Sequence, residues 1–387
     1  MKKTVLQIIP NLGAGGAEQA CIDITAGLAG RGDTALVISA GGPHAAEVEK
    51  LGGRHYRLPV DSKNPLRIVK NALRLARFAR EKKVDIIHAR SRAPAWSAWL
   101  ACRLARKPLV TTFHAAYKFS GKPKKLYNSV MVRGDRVIAI SRFIAGHIAE
   151  NYGIDTGKIR TINRGIDLEK FSPENVTEER RAALRKQWNV EEKRKIVFMP
   201  ARLSPIKGHK LLLQALGLLQ ETGCEFHAII TGDDQGKHSY RLELEKIILA
   251  GGLGDKMGLF SHCSDMPAAY SIAEAVAVPS LVPEGFGRVA VEAMAMGVPV
   301  IASDLGAMRD TVQEGETGWL LSPSDPRAWA EAIARALALT PPERSAIARA
   351  AIARACAYFG SRRMVDETLA VYDEVLEERA RCPNACS

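Results

Sequence analysis

The stretch AVAVPSLVPEGFGRVAVEAMAMGVPVIAS, residues 275–303, has the order of a strand, a glycine-bearing turn, a helix and a second strand. AVAVPS and VPVIAS are short and apolar, as buried parallel strands are, while RVAVEAMAMG between them has helical character. The turn carries Gly285 and Gly287, which leave the backbone N–H groups of the helix start accessible to a diphosphate or to sugar hydroxyls. The stretch therefore predicts a β-α-β unit with a ligand site after its first strand.

The same alternation continues on both sides of this stretch. The polar segment SPENVTEERRAALRKQW separates two series of strand-like runs. The first series is TVLQII, TALVIS, VDIIHA, PLVTTF and RVIAIS, and the second is KIVFMP, FHAIITG, KMGLF, AVAVPS and VPVIAS. This pattern is typical of parallel β-α-β units. We therefore expect an α/β protein of two doubly wound, Rossmann-like domains that face each other across a cleft, with ligands at the carboxyl ends of the strands.

The length of 387 residues also indicates two domains, because it exceeds what one hydrophobic core usually serves. We place the N-terminal domain at residues 1–170 and the C-terminal domain at residues 171–357. Residues 358–387 are assigned to a final helix and a tail, since Met364, Leu369, Tyr372 and Leu376 follow a helical spacing.

Positive charge is concentrated in the first half of the chain. The formal net charge is +13, yet residues 1–175 hold 30 Lys and Arg against 14 Asp and Glu, which leaves −3 for the remainder. A basic half attracts nucleic acid, an anionic membrane surface or an anionic substrate, and charge alone does not choose among them. The interleaved aromatic and basic residues of single-strand binders are missing, as are helix-turn-helix and zinc-finger spacings, so we expect no nucleic-acid partner.

The seven cysteines are scattered and odd in number, which favours a reducing cytoplasm. Cys382 and Cys386 in the tail lack a second pair or a nearby histidine, so we expect an idle tail rather than a metal site. The apolar run in MKKTVLQIIP is too short for a signal peptide, and no run approaches the roughly 18 to 20 residues of a membrane span. We expect a cytoplasmic protein without a cofactor.

Two pairs of charged residues follow strand-like runs in the second half. Glu284 and Glu292 are separated by seven residues. If a helix begins near Gly287, their carboxylates lie up to roughly 12 Å apart along its axis, about the span of a sugar plus a ribose. Arg202 and Lys207 follow KIVFMP in a tight turn, where two cations could neutralise a diphosphate without a metal. Spacing alone leaves open the alternative that both pairs are solvated surface charges.

Two further loops are similar to known ligand loops. Gly13, Gly15 and Gly16 follow the first strand, but they lack the Gly-x-Gly-x-x-Gly spacing and the later acid of a dinucleotide site. We interpret them as a loop that allows a close approach. Asp233 and Asp234 could suggest a metal site, but their domain already has cations for phosphates, so we expect no metal there.

Six motifs stand in the order that characterises one known family. They are the GGAE loop that begins at Gly15, TFH ending at His114, VIAIS ending at Ser141, INRGIDLEKF ending at Phe171, Arg202 with Lys207-Gly208, and Glu284-x7-Glu292. Together they resemble the retaining glycosyltransferases of family 4, which have the GT-B fold. The resemblance covers nearly the whole chain. It implies an acceptor-side domain first, a nucleotide-sugar domain second, and a final helix that crosses back to the first domain.

The resemblance also implies a role for each residue of the opening stretch. Glu284 would hold hydroxyls of the donor sugar. The backbone amides of Gly285, Phe286 and Gly287 would contact the sugar and the phosphates. Glu292 would bind the ribose.

The remaining motifs complete the implied site. Arg202 and Lys207 would stabilise the departing nucleoside diphosphate. Gly15 and Gly16 would close over the phosphates and the acceptor, and His114 would contact the transferred sugar. Retention requires either a carboxylate nucleophile or attack on the face of the leaving group. The sequence forces no flanking pair of carboxylates, so we favour a front-face route in which the leaving diphosphate helps take the acceptor proton.

Basic residues in the first half suggest where an anionic partner binds. A predicted surface helix carries a cationic stripe, for which a solvated face is the alternative, and a lysine-rich loop follows His114. The stripe is Arg67, Lys70, Arg74 and Arg77, opposite an apolar face of Val69, Ala72, Leu73 and Ala76, and the loop holds Lys118, Lys122, Lys124 and Lys125. Anionic phospholipid or a phosphorylated, lipid-linked acceptor would explain both features.

We therefore expect a metal-independent retaining enzyme that moves a hexose from GDP-mannose or a UDP-hexose to a cell-envelope glycan or a lipid-linked acceptor. The setting would be lipopolysaccharide core, capsule or exopolysaccharide synthesis, at the inner face of the cytoplasmic membrane. The alternatives are a GT-B-fold nucleotide-sugar epimerase and a non-catalytic scaffold that binds glycan or membrane. The sequence names neither the donor base nor the acceptor.

Overall fold

The computed structural model describes residues 2–13, 15–236 and 238–381. The expectation for Cys382 and Cys386 lies outside these residues. The chain forms two compact units, of which the first extends to Gly165 and resumes at Ser361, and the second spans Ile166–Gly360. Each unit is built on one parallel sheet, so the predicted α/β class with two Rossmann-like domains is confirmed.

The first unit contains a seven-stranded sheet in the order β3-β2-β1-β4-β5-β6-β7. The strands are β1 Thr4–Ile8, β2 Thr34–Ser39, β3 Arg54–Arg57, β4 Ile86–Ala89, β5 Leu109–Phe113, β6 Arg136–Ala139 and β7 Ile159–Thr161. The helices are α1 Gly16–Gly30, α2 Ala45–Lys50, α3 Pro65–Glu81, α4 Arg92–Ala105, α5 Lys122–Asn128 and α6 Arg142–Tyr152. The order reverses direction at β1, which places β1 and β4 side by side and makes their carboxyl ends a natural ligand position.

The second unit contains a six-stranded sheet in the order β10-β9-β8-β11-β12-β13. The strands are β8 Ile196–Pro200, β9 His227–Thr231, β10 Met257–Phe260, β11 Ala273–Val278, β12 Val300–Ser303 and β13 Gly318–Leu321. The helices are α7 Glu178–Gln187, α8 His209–Glu221, α9 His238–Ala250, α10 Met266–Ser271, α11 Arg288–Ala295, α12 Met308–Thr311, α13 Pro326–Ala338 and α14 Pro341–Tyr358. Here the order reverses between β8 and β11. The segments that follow these two strands carry Arg202, Lys207 and Glu284, while Glu292 lies on α11.

The last helix, α15 Ser361–Arg381, packs into the core of the first unit. Leu369 and Tyr372 lie in one apolar cluster with Val5 and Ile24. The Tyr372 ring is fully buried, which removes a large aromatic surface from water. Helix α15 therefore completes the core of the first unit.

Helix α3 buries only part of the apolar face that the sequence suggested, since Ala72 and Ala76 are buried as predicted. Its buried residues include Asn71, Leu75 and Ala79, while Val69 and Leu73 are 51% and 58% exposed. The predicted apolar face is thus wrong for these two residues. Asn71 sits on the buried face because its Nδ2 donates to the Pro59 carbonyl oxygen at 2.8 Å, which satisfies a polar group that would otherwise be costly to bury.

Within the described ranges, no helix combines the length and the apolar character that crossing a membrane requires.

Candidate active site

Lys207 and Glu284 form an ion pair at the carboxyl edge of the second sheet. Lys207 ends a 3₁₀ turn, Pro205–Lys207, that follows β8, and Glu284 lies in the loop that follows β11. Lys207 Nζ lies 2.6 Å from Glu284 Oε1, with the two side chains 23% and 18% exposed. Because the pair is only partly hydrated, its charges interact more strongly than they would at an open surface. Two residues from separate sequence motifs thus form one charged pair.

Backbone contacts fix the loops that carry this pair. Gly208 directly follows Lys207 with a φ of +77°, and a side-chain carbon there would lie 1.8 Å from the Pro279 carbonyl oxygen. Only glycine meets both demands. The Ala307 N–H donates to the Glu284 carbonyl oxygen at 3.0 Å, which ties the loop after β12 to the loop after β11. The turn and the two loops are therefore held by the backbone before any ligand binds.

Among the described residues, the Glu284 carboxylate finds hydrogen-bond donors for only one of its oxygens. Oε1 accepts from Lys207 Nζ and from Ser280 Oγ. In the described part of the chain, no donor reaches Oε2 within hydrogen-bond distance. A carboxylate oxygen carries two lone pairs, so Oε2 can accept from ligand hydroxyls while Oε1 stays anchored.

Arg202 lies at the same edge, in the segment after β8, and its side chain is exposed. Its Nη1 lies 3.4 Å from Gln235 Oε1, in the loop after β9. That loop holds the two aspartates, which bind their own backbone. Asp233 Oδ1 accepts from the Gln235 N–H at 2.8 Å, and Asp234 Oδ1 accepts from the Gly236 N–H at 2.9 Å. This backbone hydrogen bond holds the pKa of Asp234 below its usual value. Across the described ranges, no group of three or more His, Cys, Asp and Glu side chains is placed to hold a metal ion.

Helix α11 begins at the glycine turn without a side-chain cap. Gly287 is the N-cap with a φ of +87°, and it provides no side-chain cap for the helix. A side-chain carbon at Gly287 would lie 2.1 Å from Met308 Cε. The Phe286 ring is buried, with its centroid 6.0 Å from that of Phe359. Phe286 can therefore reach a ligand only through its backbone.

Glu292 lies on α11 with 6% exposure and two strong partners. Tyr270 Oη donates to Glu292 Oε2 at 2.8 Å, and Arg288 Nε donates to Oε1 at 2.7 Å. Burial, together with the Glu292 carboxylate, raises the pKa of Tyr270 well above its usual value, so this hydroxyl stays a donor. Each carboxylate oxygen still has a second lone pair, which is the capacity that a ribose would need.

In the first unit, the glycine loop lies against two charged side chains. A side-chain carbon at Gly15 would lie 2.2 Å from Glu18 Oε2, and one at Gly16 would lie 2.6 Å from Arg164 Nη1. The start of α1 is thus approached by a carboxylate and a guanidinium.

Arg164 also determines the state of His114, which follows β5. Arg164 Nη2 lies 2.9 Å from His114 Nδ1. A guanidinium can only donate, so Nδ1 must accept and Nε2 must carry the ring proton. Burial first, and then the Arg164 charge, hold the pKa of His114 well below its usual value. In the described part of the chain Nε2 is buried without a hydrogen-bond partner. His114 is therefore a neutral group with one proton to donate.

A buried polar network at neighbouring strand ends has no signature in the sequence. Arg90 follows β4 with 2% exposure, and its Nε and Nη2 donate to Gln7 Oε1 at 2.9 and 2.6 Å. His88 lies 2.6 Å from Tyr372 Oη through Nδ1 and 2.7 Å from Thr112 Oγ1 through Nε2. Among the described residues, no carboxylate forms an ion pair with Arg90. A buried guanidinium with mainly neutral partners is costly, so this arrangement indicates a functional demand at this edge.

Two family models match the two halves of the chain. The model described as Glycosyltransferase Family 4 matches residues 14–170, and the one described as Glycosyl transferases group 1 matches residues 180–354. A glycosyltransferase crystal structure from Rickettsia africae ESF-5 shares 34% identity, covers 97% of this chain and 99% of its own, and superimposes with a TM-score of 0.91. The chain belongs to glycosyltransferase family 4. The family and the GT-B fold that the motifs indicated are therefore confirmed.

Two other proteins resemble the chain at lower identity or over less of their length. HepE from Anabaena, solved with UDP and glucose, is 26% identical, with 96% of this chain and 100% of that chain covered and a TM-score of 0.81. The D-inositol 3-phosphate glycosyltransferase of Salinispora tropica is 30% identical over 318 residues. That match takes in 77% of this chain but 65% of the relative, so the chain spans less than two thirds of that relative's length.

Proposed function

We propose that this family 4 member is a retaining glycosyltransferase that moves a hexose from a nucleotide sugar to a hydroxyl of an acceptor that carries phosphate or is linked to lipid. The ion pair between Lys207 and Glu284 is the observation that carries this proposal. It sets a cation for a leaving diphosphate beside a carboxylate oxygen that remains open for sugar hydroxyls. A scaffold without catalysis has no need to hold such a pair at a strand-end loop.

The donor roles follow from this arrangement. Glu284 Oε2 accepts from hydroxyls of the transferred sugar, and the backbone of Gly285 and Gly287 faces the sugar and the phosphates. Arg202 and Lys207 neutralise the charge that develops on the diphosphate as the glycosidic bond breaks. Metal independence is proposed because these two cations supply the charge that a divalent ion supplies elsewhere. Residues 171–357 are accordingly proposed as the nucleotide-sugar domain and residues 1–170 as the acceptor side.

Glu292 is proposed to accept from the ribose with the lone pairs that Tyr270 and Arg288 leave available. The donor base is proposed as uracil, because HepE was solved with UDP and glucose and shares 26% identity over nearly the whole chain. GDP-mannose is the alternative donor. Gly15 and Gly16 are proposed to close over the phosphates and the acceptor.

The state of His114 limits its part in the reaction. Its Nδ1 is engaged by Arg164, and its Nε2 carries the proton, so it can donate to a sugar hydroxyl but cannot accept the acceptor proton through Nε2. The acceptor proton therefore passes to an oxygen of the departing diphosphate on the same face of the sugar. The bond from the anomeric carbon to the diphosphate breaks as the bond to the acceptor oxygen forms on that face. The configuration is retained.

Two observations support the proposed class of acceptor. The basic first half favours an anionic acceptor, and the Salinispora tropica relative is named for D-inositol 3-phosphate. A phosphate-bearing acceptor satisfies both. The cell-envelope setting, in lipopolysaccharide core, capsule or exopolysaccharide synthesis, is kept as the proposed context for a lipid-linked form of such an acceptor.

Helix α3 supports a peripheral position on the cytoplasmic face of an anionic membrane. Leu66, Val69 and Leu73 are 81%, 51% and 58% exposed on a helix whose other exposed positions include Arg67, Lys70 and Arg74. Exposed apolar side chains among cations are typical of helices that lie in a membrane interface.

The experiment that tests the proposed function is a transfer assay with UDP-glucose and D-inositol 3-phosphate, in EDTA and then in Mg²⁺, with the product anomer assigned by NMR. We expect an α-linked product from the α-linked donor, formed equally well in EDTA. A β-linked product would contradict retention. A changed sugar nucleotide formed without any acceptor would indicate the epimerase, and wild type that neither binds nor consumes any nucleotide sugar would indicate the scaffold.

A further inference from the structure

A cationic pocket lies in the first unit, between the start of α4 and the segment that leads into α5. Its volume is roughly 710 Å³. Ser91 and Arg92 contribute from the start of α4, Tyr117 and Lys118 from the segment after β5, and Lys124 from α5. Lys63, which precedes α3, completes the set of cations.

The charge of this pocket is uncompensated. Four cations line it, namely Lys63, Arg92, Lys118 and Lys124, and no Asp or Glu is among the lining residues. In the part of the chain that the structure describes, none of the four forms an ion pair with a carboxylate. The guanidinium of Arg92 is held instead by neutral groups. Its Nη1 donates to Asn128 Oδ1 at 2.9 Å, and its carbon lies 4.2 Å from the Tyr117 ring centroid. These two contacts hold the Arg92 guanidinium at the pocket wall but do not neutralise its charge.

The start of α4 adds to the positive electrostatic potential of this pocket. This helix has 14 residues, its N-cap Ser91 makes no side-chain capping bond, and its first turn contains no acid. Its first residue is Arg92, although a cation is unfavourable at the positive end of the helix dipole. A bound anion would reverse this penalty and would relieve the repulsion among the lysines.

We propose that this pocket binds a phosphate group of the acceptor, an inference that rests on the proposed function. A phosphate offers up to two negative charges and three acceptor oxygens, which suit one guanidinium fork, lysine ammonium groups and a helix start. The diphosphate of the donor already has Arg202 and Lys207 in the second unit. The pocket is therefore assigned to the second substrate, and it selects acceptors by their phosphate rather than by their sugar.

The test is a calorimetric titration of the full chain at low salt with D-inositol 3-phosphate, and with inositol as the phosphate-free match. The test variant is Lys118→Gln with Lys124→Gln. The matched control is Lys50→Gln with Lys158→Gln, which removes the same charge from exposed positions of the same unit outside the pocket. We expect wild type and control to bind the phosphate ester but not inositol, and the test variant to bind it at least roughly tenfold more weakly.

A second arm separates a soluble phosphate from a lipid headgroup. Binding to vesicles of neutral phosphatidylcholine, with and without phosphatidic acid, is measured for the same three proteins. A loss confined to the test variant identifies a soluble phosphate ester if it occurs with D-inositol 3-phosphate, and a lipid headgroup if it occurs only with phosphatidic acid. Equal binding by test variant and control to both probes overturns the inference, as does wild type that binds neither.

The donor side is measured on the same samples so that the two failures stay distinct. UDP-glucose binding should be unchanged in the test variant because Lys118 and Lys124 lie in the first unit. Intact UDP-glucose binding with no phosphate binding would overturn the pocket assignment alone. Failure of the wild-type protein to bind UDP-glucose would instead contradict the proposed function.

Discussion

Replacing Lys207 by alanine tests the ion pair at the carboxyl edge of the second sheet. The change removes an ammonium that lies 2.6 Å from Glu284 Oε1 and leaves a carboxylate that is 18% exposed. A hydrogen bond to a charged group contributes about 1.5–3 kcal/mol. Water reaches part of this pair, so we expect a loss of about 1–2 kcal/mol in the free energy of unfolding. The catalytic loss should be larger, because removal of one group that stabilises transition-state charge costs about 2.7 kcal/mol or more, which is a factor of roughly 10² in turnover.

The assay measures turnover at saturating donor and acceptor, alongside urea unfolding. Lys210→Ala is the matched control, because Lys210 Nζ also lies 2.6 Å from a carboxylate, that of Glu243, but in a pair that is 48% and 49% exposed. We expect the control to keep normal turnover and to lose less than about 1 kcal/mol of stability. If Lys207→Ala turns over at the wild-type rate under these conditions, the role assigned to the ammonium is refuted. If both variants lose turnover equally, the effect is not specific to the pair.

Three further predictions concern the first unit, a buried histidine and the membrane face. Arg164→Met should raise the pKa of His114, because the Arg164 charge adds to the burial that is the main cause of its lowered pKa; an unchanged NMR titration of this ring would contradict the assigned contact. Burial lowers the pKa of His209 to about 4. In the unfolded chain His209 has a pKa of about 6.5, so as the pH falls the unfolded chain binds the proton before the folded chain does. The free energy of unfolding therefore decreases below that pH, by about 2 kcal/mol at pH 5. Urea unfolding of wild type and His209→Gln should show a shallower pH dependence in the variant, and equal slopes would count against this reading. Leu66→Ser with Leu73→Ser should weaken binding to sedimented anionic vesicles by roughly tenfold while leaving the unfolding midpoint unchanged. Unaltered sedimentation would contradict the proposed contact between α3 and the membrane.

Much of the fold was accessible from the sequence because buried parallel strands are nearly continuous apolar runs. The ten predicted runs correspond to β1, β2, β4, β5, β6 and β8 to β12. The strands without a prediction, β3, β7 and β13, are edge strands of the two sheets. Each of these has a neighbour on one side only, so it needs less apolar surface, and β3 reads RHYR with exposed ends. Edge position alone does not account for this, because β10 is also an edge strand and its run KMGLF was predicted.

The sequence selected the residues of the candidate site but not the contacts between them. Glu284 and Lys207 were each selected from a motif, while their ion pair spans 77 positions and depends on how two loops meet. Arg164 contacts His114 across 50 positions of the chain, and no local signal in the sequence marks that contact. The face of α3 was misjudged at Leu73 because Leu and Ala both fit an apolar stripe, and only the packing of α4 decides which side is covered.

Tertiary placement likewise decided the buried network at the end of β4. His88 lies in β4, one residue before the strand ends. Its two nitrogens bond to Thr112 and to Tyr372, the latter 284 positions away on α15. Contacts at such separations leave no periodic trace in a single sequence.

The second unit is proposed to bind a nucleotide sugar through the open oxygen of Glu284 and the cations beside it. The most direct measurement is a thermal-shift screen in EDTA with UDP-, GDP-, ADP- and CMP-sugars, on wild type and on the nearly isosteric Glu284→Gln, since a ligand that binds the native state raises the melting temperature. We expect a shift with one nucleotide class, namely UDP-sugars, that is strongly reduced in the variant. Equal shifts in wild type and Glu284→Gln, or no shift of wild type with any of the four, would contradict it.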